Sequence, residues 1–243
     1  MKNKYSYIGI TFVILIFGII FIPKIINRIK NDNVIQNDRL NVNTETTGKK
    51  SDLAVIGDAP GFELINQDGK TITDEFYKGK VYVVEFFFAT CPSICPVMNR
   101  NMLHIESEFL GNKNFGIAAI TINPEHDTPA VLKNYAKNLG VKSENWNFLT
   151  GDKQYIYNLA NKNFKLFAGE NEKVAGGFEH SGLFALIDKN GKVRSRKDAN
   201  GNPIFYYSGM NFSDPEGLEE DLEGKYRPGI DDIKEDIKKL LEE

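Results

Sequence analysis

The sequence predicts an α/β fold, a mixed sheet with helices on both faces, preceded by an N-terminal transmembrane helix. Three observations carry this. Two nearly continuous apolar runs, Val81–Phe88 and Phe115–Ile122, have the length of strands covered on both sides. Segments of helical periodicity alternate with such runs along the chain. The first segment, Tyr7 to Ile22, holds no charged residue at all.

That first segment is rich in Ile and Phe, with Lys2 and Lys4 before it and Lys24, Arg28 and Lys30 after it. Its roughly 16 residues fall just short of the ~20 a spanning helix needs, and Ile25 and Ile26 extend it if Lys24 snorkels. A cleaved signal peptide would place small residues after the apolar core. Phe21-Ile22-Pro23-Lys24 offers none, which favours a retained anchor over 1–30. No cysteine lies near it to carry a lipid. The basic flanks do not set the orientation. The short leading tail and long remainder predict a single-pass protein of the cell inner membrane with its globular part on the extracytoplasmic, periplasmic side.

Residues 31–54 are rich in Asn, Asp, Thr and Lys and read as a flexible tether. The domain is then expected over 55–243. Phe62–Ile65 and Thr71–Thr73 flank an Asn66–Lys70 turn and read as a hairpin. Val81–Phe88 is a strand and Val97–Leu110 a helix, with Met98, Met102, Ile105 and Phe109 at helical spacing. Phe115–Ile122 is the next strand. Thr128-Pro129 starts a helix that stops at Gly140. Trp146–Thr150 is a short strand, and Asp152 caps a helix to about Asn163. Leu183–Asp188 is a strand turned by Asn190-Gly191 into a hairpin with Val193 onward. Ile230–Leu241 closes the chain as an amphipathic helix. The stretch 194–228 fits poorly and reads as an inserted excursion.

Net charge is −3, with no basic face to suggest nucleic acid. The chain has 2 cysteines, too few for a disulfide scaffold or a four-thiolate zinc site. Both, Cys91 and Cys95, lie at the turn between the first central strand and its helix. With the element order, this is the thioredoxin arrangement. A helix N-terminus favours thiolate, which serves as redox nucleophile or metal ligand. The bland alternative is an inert buried pair or a static disulfide.

Thioredoxin-type oxidoreductases use two intervening residues; here Pro92, Ser93 and Ile94 intervene. The longer turn gives room for both sulfurs around one ion, and two thiolates suit Cu(I) or, less selectively, Zn(II). Three histidines compete for a third position. His104 reads as a surface helix residue, and His126 as a solvated loop residue at the same sheet end as the cysteines. His180 precedes a strand where thioredoxin folds usually hold a cis-proline facing the cysteines, and no proline occurs between Pro129 and Pro203. It is the best third ligand.

The run Phe-Phe-Phe-Ala-Thr-Cys-Pro-Ser-Ile-Cys-Pro-Val-Met, the Asn-Pro-Glu-His-Asp-Thr-Pro loop, the Trp-Asn-Phe-Leu-Thr-Gly strand and the lone His180 together resemble the Sco/SenC family. Those are membrane-anchored, thioredoxin-fold proteins that bind copper and help assemble the dinuclear copper site of cytochrome c oxidase. The resemblance implies a copper ion, Cu(I) or Cu(II), on Cys91, Cys95 and His180. It implies as partners the copper-binding subunit of cytochrome c oxidase and a thiol-disulfide reductant. Family members usually carry Asp-Pro where this chain has Asn123-Pro124; Asp127 is retained. His126 stands where Arg is common. Three functions follow as expectations: a copper metallochaperone, a thiol-disulfide reductase using Cys91 and Cys95 as a redox pair without the histidine, and a peroxidase, which Arg100 serves poorly as an activating residue.

Overall fold

The computed structural model describes residues 51–198, 200–210 and 229–243, together with Leu15 and Phe17. The chain divides into Met1–Thr46 and Thr47–Glu243. In the first unit Leu15 and Phe17 are helical and exposed. The expected anchor, and the tether up to residue 50, otherwise lie outside the described residues, as does 211–228 of the expected excursion. Among the described residues no helix is long and apolar enough to cross a membrane.

The second unit is a mixed sheet of strands β1 (Ala54–Asp58), β2 (Glu63–Asn66), β3 (Thr71–Thr73), β4 (Val81–Phe87), β5 (Phe115–Thr121), β6 (Trp146–Thr150), β9 (Leu183–Ile187) and β10 (Lys192–Ser195), in the order β1-β10-β9-β4-β5-β6-β2-β3. A further strand, β11 (Tyr207–Ser208), pairs with the start of β9. Strands β7 (Ala168–Glu170) and β8 (Phe178–His180) form a separate two-stranded hairpin. The β4–β5 and β5–β6 pairs are parallel, and the other pairs are antiparallel. Every residue of β4, β5 and β6 is buried, Glu85 and Asn147 included, as strands covered on both faces require.

Among the described residues of the unit are the α-helices α1 (Cys95–Phe109), α2 (Pro129–Leu139), α3 (Lys153–Asn158) and α4 (Gly229–Glu242). Thr128 caps α2 by accepting from Val131 N, and Gly140 ends it in the left-handed region at φ 87°. Asp152 caps α3 in the same way, accepting from Tyr155 N. The helix expected to run on to Asn163 instead widens into a π-helical turn, Leu159–Phe164. Neighbouring β4 residues point to opposite faces. Phe86 meets Phe164 of that turn at 5.9 Å between ring centroids, while Phe87 meets Tyr135 of α2 at 5.4 Å. Helical segments thus cover both faces of the sheet.

Two contacts lie near the expected boundaries. Residues before 55 contact the domain: Ser51 N donates to Glu243 Oε1, and Leu53 is buried. The described part of the excursion is built into the domain, because Arg194 and Ser195 belong to β10 and Tyr207-Ser208 forms β11. Two arginines anchor it. Arg194 is buried and pairs with Asp188 at 2.8 Å and with Glu243 at 2.9 Å. Arg196 reaches Asp232, Glu235 and the fully buried Asp236 of α4. Asp236 also accepts from Tyr207 Oη at 2.8 Å. Charges distant in sequence thereby tie the segment to the last helix.

Candidate metal centre

Sheet register brings the site together. β9 runs antiparallel to β4, with Ala185 opposite Val84, so the start of β9 lies beside the end of β4. His180–Gly182 leads into β9 and Phe88–Cys91 leads out of β4, so the two turns are neighbours. β5 runs parallel to β4 and ends with Thr121 opposite Phe87, which brings the 122–128 loop to the same edge.

At that edge one donor atom from each of Cys91, Cys95 and His180 lies within 4.8 Å of the others, the one such cluster among the described residues. Both cysteines are free thiols; Cys95 is buried and Cys91 half-buried. Cys95 Sγ is 3.0 Å from His180 Nε2. His180 Nδ1 lies 3.1 Å from the carbonyl oxygen of Ser181. A carbonyl only accepts, so Nδ1 donates to it, which fixes the ring and leaves Nε2 facing the thiols, the orientation a metal-ligating imidazole needs. Phe88 walls the site edge-on, its ring 6.0 Å from that of His180.

The helix begins at Cys95 itself, two residues before the expected start, with Pro96 in the first turn where a missing N–H costs nothing. Cys95 therefore sits on the helix and Cys91 on the preceding turn. Hydrogen bonding from the Cys95 thiol holds the Cys91 thiol far below its ordinary value against the opposing effect of burial, and His180 lowers it further. The same interaction and then burial push Cys95 up. The direction within the pair favours Cys91 as the thiolate, with Cys95 the one that keeps its proton.

Two side chains support the cysteine turn. Asn99 Nδ2 donates to Cys95 O at 3.0 Å and lies 2.9 Å from Tyr135 Oη. Asp127 is fully buried and accepts from Ala89 N at 2.9 Å and from Thr121 Oγ1 through the same oxygen. Its other oxygen pairs with His126 Nδ1 at 2.7 Å. Asp127 thus fastens the strand end just ahead of Cys91 to the loop after β5. A second buried acid was not singled out from the sequence. Glu85, in the middle of β4, is fully buried, and neither carboxylate oxygen has a hydrogen-bond partner among the described residues. Burial pushes its pKa up to about 8. The available signal was a lone acid inside an apolar run.

His126 pairs with Asp127 and is half-exposed, and neither it nor His104 joins the cluster. Asn123 turns the loop through its backbone, its carbonyl accepting from His126 N and Asp127 N. Arg100 is exposed on α1. The donor set is therefore two sulfurs and one imidazole nitrogen.

Comparison with known proteins agrees with this arrangement. A family model described as SCO1/SenC matches residues 52–211. The "SCO1 protein homolog" of Bacillus subtilis is 36% identical over 146 residues, 58% of this chain and 72% of that protein. The structure of a SCO1/SenC family lipoprotein from Bacillus anthracis aligns with TM-score 0.61 and 30% identity, covering 76% of this chain and 96% of that one. BsSco, described with a disulfide switch and as a member of the Sco family of cytochrome c oxidase assembly proteins, aligns with TM-score 0.58 and 28% identity over 80% of this chain and 98% of its own. The fold is shared with these solved structures, and the chain belongs to the SCO1/SenC family.

Proposed function

We propose that this protein binds a copper ion through Cys91, Cys95 and His180 and assists assembly of the dinuclear copper site of cytochrome c oxidase. The observation that carries the reading is the convergence of two cysteine sulfurs and one imidazole nitrogen within 4.8 Å. The residues fit copper. The set is soft, it includes no carboxylate, and three ligands suit the low coordination of Cu(I) better than the closed four-ligand sites of structural zinc. The half-buried Cys91 leaves a side open for exchange of the ion with a partner, the copper-binding subunit of the oxidase. Family membership and the description of BsSco as belonging to a family of oxidase assembly proteins support the assignment. The proposal includes a single-pass anchor over 1–30 and an extracytoplasmic domain, on the strength of the uncharged Tyr7–Ile22 segment.

The test is copper titration of the purified protein and of Cys91→Ala, Cys95→Ala and His180→Ala. Each substitution should abolish tight binding. Tight binding by the His180 variant would refute the three-ligand site.

A second reading is thiol-disulfide exchange with the copper-ligand cysteines of a partner. The asymmetry of the pair favours it: Cys91 is the accessible thiolate and Cys95 the buried thiol. This role needs a reductant to restore the thiols and does not need His180. A redox titration of the pair with and without copper separates the two roles.

A further inference from the structure

We infer that the thioether of Met210 is an additional, oxidation-state-selective donor to the copper ion, delivered to the site by the residues just after β11. This inference rests on the copper reading above.

The chain has 4 methionines, and Met210 differs in setting from Met98 and Met102, which are fully buried in α1. Met210 is half-buried and lies two residues past the end of β11. β11 pairs with the start of β9, Ser208 opposite Leu183 and Tyr207 opposite Phe184. Gly209 N then donates to the carbonyl of Gly182 at 2.8 Å, and Asn101 Nδ2 of α1 donates to the carbonyl of Gly209 at 2.8 Å. Ser208 Oγ accepts from Met210 N at 3.1 Å and donates to Met210 O at 2.9 Å. The backbone of Met210 is therefore fixed from three directions, against the residue two places after His180.

Its side chain lies over Gly182. A Cβ at Gly182 would stand 2.9 Å from Met210 Cγ, 3.8 Å from Met210 Sδ and 3.9 Å from Ile94 Cδ1. Three things follow from this contact. The absence of a side chain at 182 is what admits the methionine. Met210 and Ile94, the residue before Cys95, both border the open space at Gly182, two residues after His180. The flexible side chain, with three rotatable bonds, can redirect its sulfur without moving the backbone.

A thioether is a neutral, soft donor. It matches Cu(I) and adds little to Cu(II), which prefers nitrogen and oxygen in tetragonal geometry; a weak axial Met is a recognised means of tuning copper potentials. Beside two thiolates and an imidazole it adds coordination without adding charge. The consequence is a site biased toward the reduced ion.

The test uses the full chain and Met210→Leu, which keeps volume and apolarity while removing sulfur. Cu(I) affinity is measured by competition with a chromophoric Cu(I) chelator, and Cu(II) affinity by competition with an amino-acid chelator. The variant should bind Cu(I) about tenfold more weakly and Cu(II) within about twofold of wild type. That corresponds to a fall of about 59 mV in the Cu(II)/Cu(I) potential. Selenomethionine-labelled protein loaded with Cu(I) should show a copper–selenium path in X-ray absorption that is missing from labelled Met210→Leu. No selenium path, or one that persists in the variant, overturns the inference, whatever the affinities do. So does an unchanged Cu(I) affinity. If the wild-type protein fails to bind copper at all, the copper reading falls first. If it binds through sulfur and nitrogen with no selenium, only the role of Met210 falls.

Discussion

Replacing Glu85 by Gln should remove a pH-dependent penalty that the native fold carries. Glu85 lies in the most enclosed strand of the sheet with both oxygens unpartnered among the described residues. Its pKa rises from 4.5 to about 8 through burial. The folded value lies above the unfolded one, so between them the folded state keeps a proton that the unfolded state has released. The stabilising contribution is complete below pH 4.5 and declines as pH rises, until it is spent above pH 8. At about 1.4 kcal/mol for each pH step, roughly 3 kcal/mol of stability disappears between pH 4 and pH 7. A buried amide has no such dependence. Urea unfolding of wild type and Glu85→Gln at pH 4, 5.5, 7 and 8.5 reads the effect as a gap between the two stability curves. The gap should shift in favour of the variant by about 3 kcal/mol from pH 4 to pH 7 and level off above pH 8. Parallel curves would show that Glu85 is ionised in the fold, with a buried counter-charge or water meeting it, and would refute the reasoning.

Asp127→Ala strands Ala89 N and Thr121 Oγ1 in a buried setting, and should cost about 2–3 kcal/mol in thermal or urea unfolding while weakening copper binding, because the cysteine turn loses its tie to the loop after β5. Arg196→Ala leaves the fully buried Asp236 without its guanidinium partner. It should destabilise by about 3 kcal/mol, with native-state hydrogen exchange accelerated first in α4. In the metal-free protein Cys91 should alkylate with iodoacetamide rapidly even at pH 6 while Cys95 resists, read by peptide mass spectrometry; His180→Ala should slow the Cys91 reaction at that pH by raising its pKa, and equal rates for the two thiols would contradict Cys91 as the thiolate of the pair.

The parts of the fold legible in the sequence were those with a long, regular signal. β4 and β5 read directly because seven consecutive residues of each are buried. Thr128, Asp152 and Gly140 marked helix ends because their side chains, or the lack of one, satisfy the local backbone. The Cys91–Cys95–His180 grouping was legible because the strand order that sets the cysteine turn against the lead-in to β9 follows from the element order. The β7–β8 hairpin was not legible. Its strands have three residues each, too few to show alternation, and glycines separate them. β11 has two residues and depends on partners in β9. The π-turn after Asn158 preserves the apolar spacing of an ordinary helix, so periodicity could not reveal it. The ion pairs of Arg194 with Glu243 and of Arg196 with Asp236 join residues 49 and 40 positions apart, and no local pattern encodes such pairing.

The hairpin that carries His180 stands outside the main sheet, and its contacts to the cysteine turn are mostly apolar: Phe178 lies 5.3 Å from Phe88 between ring centroids, and the backbone at Gly176 closes on Pro92. A two-stranded hairpin has little stability of its own. A ligand that joins its last residue to two positions on the other side of the site therefore works as a cross-link between separately hydrogen-bonded pieces of backbone. Occupancy and hairpin order become two sides of one equilibrium. Whatever docks on the hairpin changes how tightly the ion is held, and release of the ion frees the hairpin. A receiving protein could then unload the site by prying at a surface that includes none of the three ligands.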